Sequence, residues 1–351
     1  MFSDCNQSQS SSPRLPESRL EKLERLKRVL PDLDLHVDFE RLADEIEPSV
    51  APRRISKSTK MGRPGYPIVL MLKMVILQQL YHLSDEEIEF QCLDRLTFQR
   101  FLGLNFEQNI PDAKTLWSFK EKLNKHHLGE TLFLKFEQQL HQQGYIPRGG
   151  QLVDATLIPV PIQRNSKVEN MQIKQGKTPE HWSENKRRQK DTDARWTKKN
   201  NQSYYGYKES VNADKKYKLI RKVHISTASE HDSQHAEFLL DPRNTSRDWF
   251  ADSAYTGESI ETLLGKTKMR PRIQRKGTKG KPLSECQKRR NHTLAKSRCR
   301  VEHIFAGFKS MGGKMIRTIG LSRAKLQLNL KSTAYNMLRL CSLKRVGTRP
   351  F

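Results

Sequence analysis

Three acids stand out by position in a chain of 351 residues. Asp154 interrupts the apolar run Leu152-Val-Asp-Ala155, Asp252 ends the run Trp249-Phe-Ala-Asp252, and Glu302 lies in a segment rich in Lys and Arg. A carboxylate inside an apolar strand carries a desolvation cost unless it is paired or binds a metal. One such acid is commonly a satisfied structural residue. Two strand acids and a helical glutamate in a basic chain point instead to chemistry. Three carboxylates converging from strand ends and a helix can hold two Mg²⁺, which prefer oxygen ligands. Held about 4 Å apart, two such ions activate an attacking oxygen and stabilise the leaving one in an in-line phosphoryl displacement.

The surroundings of Glu302 sharpen this reading. Arg298, Glu302 and Lys309 fall within about 40° on a wheel of roughly 100° per residue. Val301, Ile304, Phe305 and Phe308 form an adjacent apolar stripe that should face a core. One long helix, opened by the capping-box pattern Ser284-Glu-Cys-Gln287 and running past Lys309, would then present Arg298, Glu302 and Lys309 along a flank. The two cations would neutralise phosphates near the carboxylates. The plainer alternative is a surface helix with an Arg–Glu i,i+4 pair worth a few tenths of a kcal/mol.

Charge names the class of partner. The chain has 64 Lys+Arg against 39 Asp+Glu, a formal net charge of +25. Residues 1–150 hold 21 of each sign, whereas residues 151–351 hold 43 basic against 18 acidic, so the whole excess is C-terminal. Lys266–Arg300 alone carries 14 basic residues and one acid, Glu285. Such a field attracts polyanions and releases their counterions on binding. The partner is then DNA or RNA, and Arg272, Arg275 and Lys276 in this run, together with Lys208, Arg298 and Lys309, are the candidate contacts, DNA-binding if the partner is DNA.

Other classes are excluded. The longest apolar stretch, Ile68–Leu77, is broken by Lys73 and falls short of the roughly 20 residues of a membrane span. Met1–Pro16 has no apolar core of a secretory signal. The five cysteines never form a C-x-x-C pair, which argues against a disulfide framework or a thiolate zinc site and for a reducing, cytoplasmic location. His126-His127, His292 and His303 have no metal-ligand company and are expected to be structural or exposed.

The elements that must position these residues can be read in outline. Residues 1–20 are rich in Ser, Gln and Pro and read as a disordered tail. Residues 21–60 read as short helices, over Glu21–Leu30 and Leu33–Ile46, followed by a basic linker (Arg53, Arg54, Lys57, Lys60, Arg63). Residues 61–147 read as a helical, helix-turn-helix-like domain that binds DNA, dimerises or merely packs. Its helices are expected over Ile68–Tyr81, over Ile88–Leu96 after the cap Ser84-Asp-Glu-Glu87, over Thr97–Leu104, and after Asp112 or Thr115 with Trp117, Phe119 and Leu123.

After Gly149-Gly150 the pattern turns to strands: Gln151–Val160, Tyr204–Val211, Leu219–Ser226, Asp248–Asp252 and Met269–Ile273. A short helix is expected from His231-Asp232-Ser233 to Leu240, with Asp232 as its N-cap or a neighbour of the site, and another over Glu258–Leu264. The cluster Tyr204, Tyr205, Tyr207 suits strand packing better than stacking on bases. Residues 148–345 thus read as one mixed α/β domain, with a polar insertion or mobile loop at 165–201 and a basic insertion at 266–300.

Asp154 in LVDATLIPVP, Tyr205-Gly-Tyr-Lys208, Asp252 in FADSAY and Arg298-x3-Glu302-x6-Lys309 together resemble the bacterial insertion-sequence DDE transposases, of which the IS-five family is most similar. The resemblance runs from Leu30 to Leu340. It implies an α/β, ribonuclease-H-like mixed sheet flanked by helices and preceded by a helical N-terminal domain. It implies metal-dependent cleavage of DNA at element ends and strand transfer into target DNA. Asp154, Asp252 and Glu302 would take the metal-binding catalytic roles, with two Mg²⁺ or Mn²⁺ in their place, and Arg298 and Lys309 would position phosphates. Terminal inverted repeats and target DNA are the implied partners, and a homodimer is implied by end pairing. One position departs from the wider signature: Ala295 stands where a tyrosine is usual, three residues before the arginine. A ribonuclease-H-like nuclease without strand transfer, or an inactive DNA-binding derivative, are the alternatives.

Overall fold

The computed structural model describes residues 18–26, 28–51, 65–105, 108–199, 201–278, 280–313 and 315–350. Most of the expected tail and the basic linker residues Arg53, Arg54, Lys57, Lys60 and Arg63 lie outside them. The chain opens with α1 (Arg19–Leu26), α2 (Val29–His36) and α3 (Phe39–Val50). The expected helix over Glu21–Leu30 is divided, because Pro31 in the first turn of α2 would clash with the backbone of an uninterrupted helix. Asp38 caps α3, its Oδ1 accepting the Arg41 N–H at 2.9 Å.

Then follow α4 (Ile68–Tyr81), α5 (Asp85–Asp94), α6 (Leu96–Leu102), α7 (Ala113–Lys125) and α8 (Leu128–Gln142). α4 starts directly after Pro67 and buries nearly all of its apolar residues, as its sequence requires. Ser84 Oγ accepts the Glu87 N–H to start α5. Asp112, not Thr115, caps α7, taking the Thr115 N–H at 2.6 Å. Phe119 and Leu123 of α7 are buried, whereas Trp117 is half exposed.

β1 (Gln151–Pro159) leads into a segment that corrects the reading of 165–201 as a mobile loop: it forms α9 (Lys167–Lys174), α10 (Glu184–Gln189) and β2 (Arg195–Lys199). Its polar residues serve an internal hub. The buried Glu169 carboxylate accepts the Ser166 N–H at 2.7 Å, Trp182 Nε1 at 2.5 Å and Lys186 Nζ at 2.8 Å. β3 (Gln202–Asp214) and β4 (Ile220–Thr227) follow, then a 3₁₀ turn at Asp232–His235, α11 (Ala236–Leu239), β5 (Asp248–Ala251), α12 (Glu258–Lys266) and β6 (Arg270–Ile273). The chain ends in α13 (Glu285–Arg298), α14 (Glu302–Ser310) and α15 (Leu321–Arg345).

The sheet is mixed. β3 pairs antiparallel with β1 on one edge and with β4 and β2 on the other, while β1–β5 and β5–β6 are parallel. The resulting order, β4 or β2, then β3, β1, β5, β6, with helices on its faces, is the expected ribonuclease-H-like architecture. Gly206 explains part of the Tyr-Gly-Tyr-Lys motif. At φ 151°, opposite Pro159, a Cβ there would lie 2.1 Å from the Ile158 carbonyl oxygen. Tyr205 and Tyr207 pack, as expected, with their hydroxyls on the Asp191 carbonyl (3.1 Å) and carboxylate (2.6 Å).

α15, not anticipated from the sequence, threads the core. Its Leu330, Ala334, Met337 and Leu340 share one apolar cluster with α4, α8, the sheet residues Val211 and Ile220, and Ile304 and Phe308 of α14. Asn336 of α15 receives the Ile220 N–H at 2.9 Å and donates to the Ile220 carbonyl at 2.8 Å, closing the first backbone pair of β4. Beside this core, Arg221 of β4 is fully buried, 2.9 Å from Glu137 of α8 and 3.2 Å from Asp214.

Candidate active site

The parallel register sets the site. Gln151 lies opposite Trp249 and Leu152 opposite Phe250, so Asp154 and Asp252 fall at matching positions three residues beyond the first pair. Asp252 directly follows β5 and is fixed there by its own hydrogen bond, Oδ1 accepting the Ala254 N–H at 2.9 Å. Asp154 Oδ1 accepts the Ala155 N–H at 2.9 Å, and Oδ2 lies 3.1 Å from Arg298 Nη1 of α13. Burial pushes the Asp154 carboxyl up to about 6; the guanidinium of Arg298 and the Ala155 N–H pull it back, and the Asp252 charge adds to the rise. Lys199, exposed on β2, also acts on Asp154.

Tyr255 lies beside the pair. Its ring is buried edge-on to Trp249 at 5.5 Å. Burial raises its phenol, and Asp232, Asp154 and Asp252 act in the same direction, so it stays neutral near the carboxylates. Asp232 is therefore close to the site but does not cap the following turn. His231 does so, Nδ1 accepting the Ser233 N–H at 3.3 Å, while Asp232 holds Lys208 Nζ at 2.6 Å. Lys208, expected among the DNA contacts, is buried on β3 and held by Asp232 and the Glu230 carbonyl.

The expected continuous helix across Glu302 is also corrected. A 3₁₀ turn, Cys299–Val301, separates α13 from α14. Three residues advancing about 120° rather than 100° rotate the flank of Glu302 and Lys309 by roughly 60° from that of Arg298. The apolar stripe survives, with Val301, Ile304, Phe305 and Phe308 all buried. Glu302 and Lys309 are exposed, and Glu302 does not join Asp154 and Asp252 in a cluster of ligand atoms within 4.8 Å among the described residues.

Of the basic insertion, Arg275 and Lys276 are exposed, and Arg272 is half exposed with Nε 3.0 Å from Asp248. The loop is tied down at Arg275, whose N–H and carbonyl bond the Asn291 side chain of α13 at 3.0 and 2.8 Å. Ala295, in place of the signature tyrosine, is half-buried one turn before Arg298. Sequence reasoning missed Lys199, hidden in a segment read as loop, and gave no role to Tyr255. Tyr255 stands in the quoted FADSAY run, and its closeness to Asp252 was the available signal.

Two carboxylates at matching register positions, Asp154 within β1 and Asp252 just past β5, with the basic helix α13 beside them in a ribonuclease-H-like sheet, define a nucleic-acid-processing enzyme. Residues 146–337 match the family described as Transposase DDE domain, and residues 18–122 match that described as Transposase domain (DUF772). The chain belongs to the DDE transposases. No solved structure matches it. Membership implies DNA binding, a nuclease or transposase activity, and dependence on a divalent metal. The pair Asp154 and Asp252 fits such an ion in donor chemistry, since both offer only carboxylate oxygen. Among the described residues, no helix is long and apolar enough to cross a membrane.

Proposed function

We propose that the protein is the transposase of an insertion sequence of the IS-five type, cleaving DNA at the element ends and joining the freed ends to target DNA. The observation that carries this is the matching register of Asp154 in β1 and Asp252 directly after β5, with Arg298 of α13 on the Asp154 carboxylate. Asp154, Asp252 and Glu302 are the catalytic carboxylates and the residues that would hold Mg²⁺, or Mn²⁺ in its place. When bound, the ions supply the Lewis acidity that in-line phosphoryl transfer requires.

The chain's own residues do the rest. Asp252 is held rigid by the Ala254 N–H, and Asp154 by the Ala155 N–H, so neither carboxylate must reorganise as a phosphate arrives. Arg298 exchanges Asp154 for a phosphate oxygen, a charge-assisted contact of the same kind. Glu302, the first residue of α14 after the 3₁₀ segment Cys299–Val301, would complete the set. Lys199, Arg275, Lys276 and Lys309 are exposed and would follow the DNA backbone. The helices of residues 61–147 would hold the terminal inverted repeats or the second protomer of a homodimer that pairs the ends.

The test is strand joining. With a labelled element-end duplex, target plasmid and Mg²⁺, the protein should yield both a cleaved end and an end covalently joined to target. Cleavage without a joined product would reassign it as a nuclease of the same fold.

A further inference from the structure

We infer that His224, Glu230 and His235 form a binding site for a transition-metal dication of the zinc class, separate from the carboxylate pair Asp154 and Asp252. One ligand atom from each of the three lies within 4.8 Å of the others. His235 Nε2 and Glu230 Oε2 are 3.3 Å apart. Two ligands bound at about 2.0–2.1 Å to one tetrahedral ion stand about 3.3–3.4 Å apart, so this edge is already at its coordinated length.

Each ligand is oriented by a partner of its own. His235 is buried, and its Nδ1 is 2.9 Å from Ser210 Oγ of β3, which turns Nε2 toward Glu230. A polar partner on the far ring nitrogen is what metal-bound histidines use to fix their tautomer and direction. Glu230 spends Oε1 on the Thr227 N–H (3.2 Å) and hydroxyl (3.1 Å), leaving Oε2 for the shared point. The His224 ring stacks on Phe238 with centroids 4.5 Å apart and planes 9° from parallel, and lies 4.7 Å from the His235 ring.

The donor set selects the ion. Two imidazoles and one carboxylate suit zinc and its neighbours, whereas Mg²⁺ prefers oxygen alone. Of the nearby cations, Lys208 is matched by Asp232 at 2.6 Å, and Lys325 of α15 is the opposing charge felt by His224. A bound ion would brace the end of β4 against the turn that carries Asp232. Through Ser210 it would also brace β3, the neighbour of the strand carrying Asp154. The three residues come from a strand, a loop and a 3₁₀ turn at spacing H-x5-E-x4-H, which is no recognised metal motif and explains why the sequence alone does not reveal them.

The test uses the full chain, stripped with a chelator and titrated with Co²⁺. One equivalent should bind with visible absorption bands of a four- or five-coordinate site, should be displaced by Zn²⁺, and should raise the thermal midpoint. An Asp154→Asn/Asp252→Asn variant should keep the bands. His224→Gln and Glu230→Gln, both at part-exposed positions and checked for folding by circular dichroism, should weaken binding by at least roughly 100-fold. Absence of a Co²⁺ band from the wild type would overturn the assignment. So would bands that vanish in the aspartate variant yet persist in His224→Gln.

Discussion

Arg298 Nη1 stands 3.1 Å from Asp154 Oδ2, joining the last residue of α13 to the middle of β1. The guanidinium takes the carboxylate charge that a divalent cation would take under the proposed function, so Arg298, there proposed to position phosphate, would also compete for a proposed metal ligand. Side-chain exposures of 23% and 18% leave the pair enough screened from water for this competition to register.

Arg298→Ala should therefore divide two properties. Binding of Mn²⁺, followed by electron paramagnetic resonance, should tighten. Cleavage of an element-end duplex should fall by at least roughly tenfold, as expected for loss of one charge-assisted hydrogen bond of about 1.5 kcal/mol. Weaker Mn²⁺ binding in the variant would refute the competition.

The buried guanidinium of Arg221 makes a different prediction. It bonds Glu137 at 2.9 and 3.0 Å and Asp214 at 3.2 Å with no exposure of either pair. Glu137→Ala removes one counter-charge and should cost about 3–5 kcal/mol of stability, read by denaturant unfolding. Adding Arg221→Met and Asp214→Asn to Glu137→Ala should recover much of that loss, because no charge of the cluster is then left buried without a partner. A single variant as stable as the wild type would show that the cluster does not hold α8 to the β3–β4 hairpin.

Glu169 predicts a pH dependence. Hydrogen bonds from Lys186, then Trp182 and the Ser166 N–H, hold its carboxyl well below the usual 4.5. A depressed acid contributes stability that is fully present above the unfolded value and is lost as pH falls through the folded one. The stability difference between the wild type and Glu169→Gln should be constant near neutrality and shrink from about pH 4.5 downward. A difference that grows on acidification would reverse the assigned sign.

Much of this molecule was legible in its sequence, for identifiable reasons. α4 was read to the residue because an apolar block between Pro67 and His82 admits little else. Asp154 and Asp252 were visible as charges in apolar strands, and the capping box at Ser284 formed as expected. What escaped depended on tertiary partners. Residues 165–201 read as loop because their polar groups bond one another around Glu169 and Asp191. The ion pair of Lys208 with Asp232 joins two elements and leaves no mark in the sequence. The flank of Glu302 was misjudged because a three-residue 3₁₀ turn leaves no mark in hydrophobic periodicity.

The most direct test of the central claim is cleavage of an element-end duplex with Mg²⁺ by the wild type and by Asp154→Asn, Asp252→Asn and Glu302→Gln, with duplex binding measured alongside by mobility shift. The account predicts metal-dependent cleavage by the wild type and none by the three variants, with duplex binding retained by all. Cleavage that survives in Asp154→Asn or Asp252→Asn would contradict it.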